Sequence, residues 1–133
     1  IQDAGIYVIG NYIFGLPDDT RETMRATLDL AKELNTEFVN FYSAMAYPGS
    51  ALYNMADKLD LPTNWSGYSQ HSVDTTPLPT ETLSSREIVE FRDAAFVEYF
   101  TNPRYLEMLR LTFGPAAVDQ INRMMTIKLE RAA

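Results

Sequence analysis

Residues 6–14 are almost continuously apolar and rich in β-branched and aromatic side chains, the pattern of a strand buried on both faces. Gly15-Leu16-Pro17 ends that run. Asp19 is a candidate N-cap, with Glu22 three residues later as its capping-box partner. Met24, Leu28 and Ala31 then recur at helical spacing, and Asn35 closes the helix. Residues 38–44 form a second buried strand. Strand, helix and strand at this spacing predict a βαβ unit with parallel strands and a right-handed crossover. Parallel α/β folds place ligands outside the carboxyl ends of their strands. Here those ends are the turn-rich stretches 15–18 and 46–50.

The pattern then changes twice. Ser50 caps a short helix through Leu52, Tyr53, Met55 and Ala56 to about Leu59. Residues 60–82 carry Pro62, Pro77, Pro79 and Gly67 among Ser, Thr and Asp, which predicts a long loop. Trp65, Tyr68 and His71 sit in it at spacings of three. Ser84 opens a strong helix with Glu87 as capping-box partner. Its stripe of Ile88, Phe91, Ala95 and Tyr99 is widened by Val89, Phe96 and Phe100, so more than one side of it is buried. Asn102-Pro103 starts a helix containing Leu106, Leu109 and Phe113. Gly114-Pro115 separates it from a last helix lined by Val118, Ile121, Met125 and Leu129, with Lys128 and Arg131 in its final turn. The expected organisation is a strand-helix-strand-helix unit at 1–60, a loop at 61–83 and a three-helix extension at 84–133. The expected fold class is α/β.

Alternation along the strands sorts the side chains by face. Ile9, Asn11, Ile13 and Gly15 share one face of the first strand; Asn40, Tyr42 and Ala44 share one face of the second. That face is polar in an otherwise apolar pair. A buried amide without a partner costs about 1–3 kcal/mol, so these asparagines meet each other, backbone, water or a ligand.

Composition narrows the chemistry. With 133 residues, 46% of them hydrophobic, the chain holds a real core. A formal net charge of −7 and a pI near 4.6 disfavour nucleic acid and anionic membrane as partners. There is no cysteine, so disulfides, thiolate metal sites and a Cys nucleophile are excluded, and one histidine, His71, cannot form a His-rich metal site. Neither a membrane-length apolar run nor a signal peptide is visible, which makes cytoplasmic the expected setting. The chain starts at Ile1, close to a buried strand, and two parallel strands make a poor sheet alone. Both features suggest a segment whose partner is the upstream remainder of its own chain. Gly10 and Gly15 have P-loop spacing, but Leu16-Pro17 stands where Lys-Ser/Thr is required, and the dinucleotide fingerprint is absent.

The run Asn11-Tyr-Ile-Phe-Gly-Leu-Pro-Asp-Asp-Thr20, followed by a helix and by Tyr47-Pro-Gly-Ser-Ala-Leu-Tyr53, resembles the last strands of the radical S-adenosylmethionine (SAM) barrel, in the branch that also carries a cobalamin-binding domain. Trp65-x-x-Tyr68-Ser-x-His71-Ser, Pro77-Leu-Pro-Thr80, Arg92-Asp93-x-Ala-Phe96 and Tyr105-Leu-x-Met-Leu109 through Phe113-Gly114 resemble the tail of the anaerobic magnesium-protoporphyrin monomethyl ester oxidative cyclase group. The resemblance implies a partial (β/α)6 barrel and reductive cleavage of SAM by a 4Fe–4S cluster on a C-x3-C-x2-C loop. That loop would lie upstream of this cysteine-free segment, and a cobalamin domain further upstream still.

The family's G-x-I-x-G-x-x-E pattern beside the adenine aligns with Asn11, Ile13, Gly15 and Asp18, with Asn and Asp replacing its first Gly and its Glu. Tyr42 and Tyr47 join them on the implied cofactor side. Gly15 is then small because SAM lies beside it, or else is a turn glycine and nothing more. Trp65, Tyr68 and His71 are the weaker, substrate-side candidates; the alternative is an aromatic cluster that fixes the loop to the helices. The segment holds no catalytic residue and no metal ligand of its own. The implied parent is a cyclase- or methyltransferase-type enzyme acting on a small-molecule substrate such as a porphyrin. The rival expectation is a non-enzymatic α/β interaction module that binds a partner through its apolar helices.

Overall fold

A computed structural model of the chain describes residues 1–56 and 61–132. Strands β1 (Ile9–Phe14) and β2 (Phe38–Ser43) pair in parallel, in register from Ile9 opposite Phe38 to Phe14 opposite Ser43. Helix α1 (Arg21–Leu34) connects them, so the chain is a mixed α/β structure built on a βαβ unit. Its apolar stripe of Met24, Leu28 and Ala31 is fully buried, and Asn35 ends it in the left-handed conformation with its N–H on the Ala31 carbonyl.

The start of α1 differs from expectation. Thr20, not Asp19, is the N-cap, and Thr23, not Glu22, completes the capping box. Asp19 is already occupied: one carboxylate oxygen accepts from the Gly15 and Leu16 N–H groups at 3.0 Å, the other from the Thr23 hydroxyl at 2.7 Å. A carboxylate that closes the preceding turn leaves the cap to its neighbour.

Beyond β2 come α2 (Ala51–Met55), capped by the Ser50 side chain, then α3 (Ser85–Phe100), α4 (Pro103–Phe113) and α5 (Pro115–Met125). The expected continuation of α2 to Leu59 lies outside the described residues. Helix α3 has the reciprocal Ser84–Glu87 capping box and runs across one face of the strand pair. Phe91 meets the Phe14 ring edge-on at 5.1 Å, and Tyr99 meets Phe41 at 5.8 Å. Tyr105 of α4 closes on Tyr99 at 4.9 Å. These rings, with Met24, Leu28, Val39, Ile88 and Phe100, form one core between the strands and the helices. Glu98 of α3 ties it to α1 through Lys32 at 2.7 Å and Arg25 at 2.9 Å.

Helix α5 stops at Met125, so Lys128 and Arg131 are not in its last turn. The chain turns back as a strap, residues 126–132, because Arg131 has a better partner. Its guanidinium grips both carboxylate oxygens of Asp93 at 2.8 and 2.9 Å, and the Ala132 N–H bonds to the Val73 carbonyl at 2.7 Å. Among the described residues no helix is long and apolar enough to cross a membrane.

The expected burial of 6–14 on both faces is also corrected. The strand begins at Ile9, Ile6 and Tyr7 are exposed, and only one face of β1 is covered. Helices seal the Phe14, Val39 and Phe41 side; Ile9, Ile13 and Tyr42 on the other remain partly exposed.

The outer edge of β2 is closed by side chains instead of a third strand. Gln70, in the loop after α2, accepts from the Ser43 N–H and donates to the Ser43 carbonyl, both at 2.9 Å. Arg92 Nε donates to the Phe41 carbonyl at 3.0 Å, and the Tyr105 hydroxyl to the Glu37 carbonyl at 3.2 Å. The outer edge of β1 pairs with no strand among the described residues.

Candidate functional site

The register sets Asn11 opposite Asn40 and Ile13 opposite Tyr42, on the uncovered face. There Ile9 is 61% exposed, Ile13 48% and Tyr42 37%, while Phe14, Val39 and Phe41 on the other side are essentially inaccessible. An uncovered sheet face rich in large apolar side chains is a binding surface in search of an occupant. Its polar feature is the asparagine pair. Asn40 Nδ2 donates to Asn11 Oδ1 at 3.0 Å, so the two amides do meet each other. Only a long 3.5 Å contact from Asn11 Nδ2 to the Ile9 carbonyl uses the remaining capacity. The pair therefore offers donors from Asn11 Nδ2 and an acceptor at Asn40 Oδ1, a combination that suits the edge of a flat heterocycle.

Gly15 ends β1 with φ of +80°, and a Cβ built there would lie 2.7 and 2.8 Å from the Cγ2 and Cδ1 atoms of Ile88. Its smallness is therefore required by this chain's own turn and by α3, without any ligand. Asp18 is exposed at the tip of the turn. The carboxylate that organises the loop belongs to Asp19.

Past β2, Tyr47 is half exposed. Its ring lies 6.0 Å from that of Tyr68, and its hydroxyl makes a long 3.4 Å contact to the Tyr68 carbonyl. Tyr68 is buried in a 3-10 turn (Ser66–Tyr68) and meets Trp65 at 5.9 Å. Trp65 is 75% exposed. The structure thus joins Tyr47, Tyr68 and Trp65 into one aromatic row beyond the carboxyl end of β2.

His71 is not in that row. It sits beside α3, with Nδ1 3.2 Å from Arg92 Nη2. Because a guanidinium only donates, Nδ1 accepts and the ring proton lies on Nε2. Burial, and then the charges of Arg92 and Arg131, lower the pKa of His71 below its ordinary value. Arg92 itself is 4% exposed. Besides Phe41 and His71 it binds Asp93 at 2.6 Å. Burial works to raise the Asp93 carboxyl, but hydrogen bonds from Arg131 and Arg92 outweigh it and hold the group below the usual carboxylate range.

Sequence reasoning about the residues alone overlooked Arg92 and Gln70 as organisers. Arg92 had a detectable signal: it falls four residues after Ile88, inside an apolar stripe, where an unpaired charge is costly. Gln70 had none, since its partner lies 27 residues away. Among the described residues no group of three or more His, Asp or Glu side chains is arranged to hold a metal.

No family model matches the chain. Over 104 residues, 77% of its length, it is 32% identical to an uncharacterized methyltransferase of Pyrococcus horikoshii. The matched stretch is 22% of that protein, so the chain spans about a fifth of the length of the curated relative it matches.

Proposed function

We propose that the chain is the closing segment of a radical SAM enzyme of methyltransferase type, and that the uncovered face of β1 and β2 is one wall of its SAM pocket. The observation that carries this reading is the contrast between the two sheet faces. One is sealed by helices. The other leaves Ile9, Ile13 and Tyr42 partly exposed beside an amide pair with spare hydrogen-bonding capacity. The strands of a partial (β/α) barrel have this asymmetry, helices outside and ligand inside. The similarity to a methyltransferase favours methyl transfer over oxidative cyclisation of magnesium-protoporphyrin monomethyl ester, which rests on the resemblance of the tail motifs alone.

The donor set fits SAM. Asn11 Nδ2 and Asn40 Oδ1 would hydrogen-bond the adenine edge, with Ile13 and Tyr42 supplying apolar contact. The turn held by Asp19 would bound the nucleoside at the end of β1. The row of Tyr47, Tyr68 and Trp65 belongs to the substrate side and suits a large, partly apolar substrate. When bound, SAM supplies an activated methyl group or, given an electron, a carbon radical. The segment's part is to bind, orient and exclude water. It does not fit an iron–sulfur cluster, having no cysteine. Cluster ligands and any cobalamin site belong to the upstream chain, and cytoplasmic residence is part of the same proposal.

Ile13→Asp tests the assignment. In the 133-residue chain the side chain is half exposed on a strand, so the stability cost is about 1 kcal/mol. In the longer protein it places a carboxylate against the nucleoside, and SAM affinity falls at least about tenfold, a loss of ~1.4 kcal/mol. Unchanged SAM affinity in a folded, iron-loaded variant removes this face from the site. If the longer protein has no C-x3-C-x2-C loop and does not bind SAM, the interaction-module reading replaces this one.

A further inference from the structure

A cavity of about 580 Å³ lies between α3, the end of α5 and the strap that follows it. It is separate from the uncovered sheet face and shares no residue with it. Its walls are apolar: Phe96 and Val97 from α3, Met124 and Met125 from α5, Ile127 and Leu129 from the strap. Its polar lining is His71, Arg92, Asp93 and Lys128. The size is that of a small-molecule site, and the makeup, mostly apolar with a few polar groups, is the usual one.

The charges around the cavity give its occupant a sign. Asp93 is gripped by two guanidinium groups, Arg92 at 2.6 Å and Arg131 at 2.8 Å, so that cluster is net positive. Lys128 adds a second positive charge and has no acidic partner among the described residues. Three cations against one carboxylate stand out in a chain of net charge −7. Arg92 occupies Nδ1 of His71, which leaves the Nε2–H as a neutral donor. A cationic ligand would meet repulsion here, and an uncharged one would leave the exposed Lys128 to water. An anion gains from both.

We propose that this cavity binds a small amphipathic carboxylate, its apolar body between α3 and α5 and its head drawn to Lys128 and His71. The strap supplies the third wall, so the Arg131–Asp93 grip shapes the site without touching the ligand. Methionines at two wall positions suit an apolar body of variable outline.

The test is calorimetric titration of the 133-residue chain with dodecanoate, 1-dodecanol and dodecylammonium, each below its micellar concentration. Dodecanoate is expected to bind one per chain and at least about tenfold more tightly than dodecanol, with dodecylammonium weakest. Lys128→Glu should weaken dodecanoate about tenfold or more and remove its preference over the alcohol. Met124→Trp, which adds bulk to the cavity wall, should weaken binding, whereas Ile13→Asp on the sheet face should leave it unchanged. Circular dichroism establishes that each variant is folded. Three results overturn the proposal: no dodecanoate binding by the folded chain, equal binding of the ammonium compound, or binding indifferent to both Lys128→Glu and Met124→Trp. The last means apolar adsorption only. None of them bears on the SAM face, so the two readings fail separately.

Discussion

Gly15→Ala should destabilise the isolated chain by about 2–5 kcal/mol, and the loss divides into two separable parts. The backbone at Gly15 has φ of +80°, where an L-residue costs about 1–2 kcal/mol. The added methyl would also sit 2.7 Å from Ile88 Cγ2 and 2.8 Å from Cδ1, well inside ordinary contact. Ile88 is fully buried on a helix whose ends are fixed by caps, so relief needs a shift of packed groups, about 1–3 kcal/mol. Ile88→Ala removes the opposing atoms. By itself it costs about 2–5 kcal/mol, but in that background Gly15→Ala should cost only the backbone part, about 1–2 kcal/mol. Urea unfolding of the four proteins followed by far-ultraviolet circular dichroism gives the cycle. A Gly15→Ala cost below about 0.5 kcal/mol, or one identical in both backgrounds, refutes the steric argument. The first of those outcomes would restore the idea that Gly15 is small only to make room for a ligand.

Phe91→Ala should cost about 3–5 kcal/mol, since the ring is buried edge-on against Phe14 and lies under Arg25; an unchanged urea midpoint would place α3 at the periphery. Tyr99→Phe removes the 2.8 Å hydrogen bond to the Thr36 carbonyl and should cost about 1–3 kcal/mol by leaving a buried acceptor unpaired. Burial pushes the Tyr99 hydroxyl up to about 12, so that bond should survive well into alkaline solution, readable as absorbance of tyrosinate. The folded-state pKa of Asp93 is depressed, so its stabilisation is present above the ordinary value of 3.8 and is lost as pH falls through the lower folded value. Asp93→Asn should therefore flatten the acid limb of the melting temperature between about pH 2 and 5, and an unchanged limb would deny the strap its anchor. Under reducing, anaerobic conditions with iron and sulfide, the 133-residue chain should release no 5′-deoxyadenosine from SAM above a protein-free control.

Local signals in the sequence translated directly into structure. Ser84 with Glu87, Asn102 before Pro103, and Gly114 before Pro115 each marked a helix end by chemistry confined to a few residues. Alternation in the strands put Asn11, Asn40 and Tyr42 on one face, where the asparagines meet. Two misreadings share a cause: a competing partner, one local and one distant, changed the use of a side chain. Asp19 looked like a cap until its carboxylate was claimed by the turn amides of Gly15 and Leu16. Arg131 looked like the end of a helix until Asp93, 38 residues away, drew it out. The apolar run of β1 reads as buried on both faces, but only one has its cover within the described residues. His71 could not be placed from spacing, because its neighbour Arg92 comes from a helix 21 residues on.

The closed edge of β2 has a consequence for how the isolated chain behaves at high concentration. A two-stranded sheet with both edges live can add copies at each side without limit, which is the route to fibres. Here Gln70, Arg92 and Tyr105 occupy backbone groups along one side, so only β1 can recruit another strand. Two copies joined β1 to β1 would have no further edge to offer, and growth would terminate at a pair. Removing the Gln70, Arg92 and Tyr105 side chains together would reopen the second side, converting a self-limiting associate into a polymerising one.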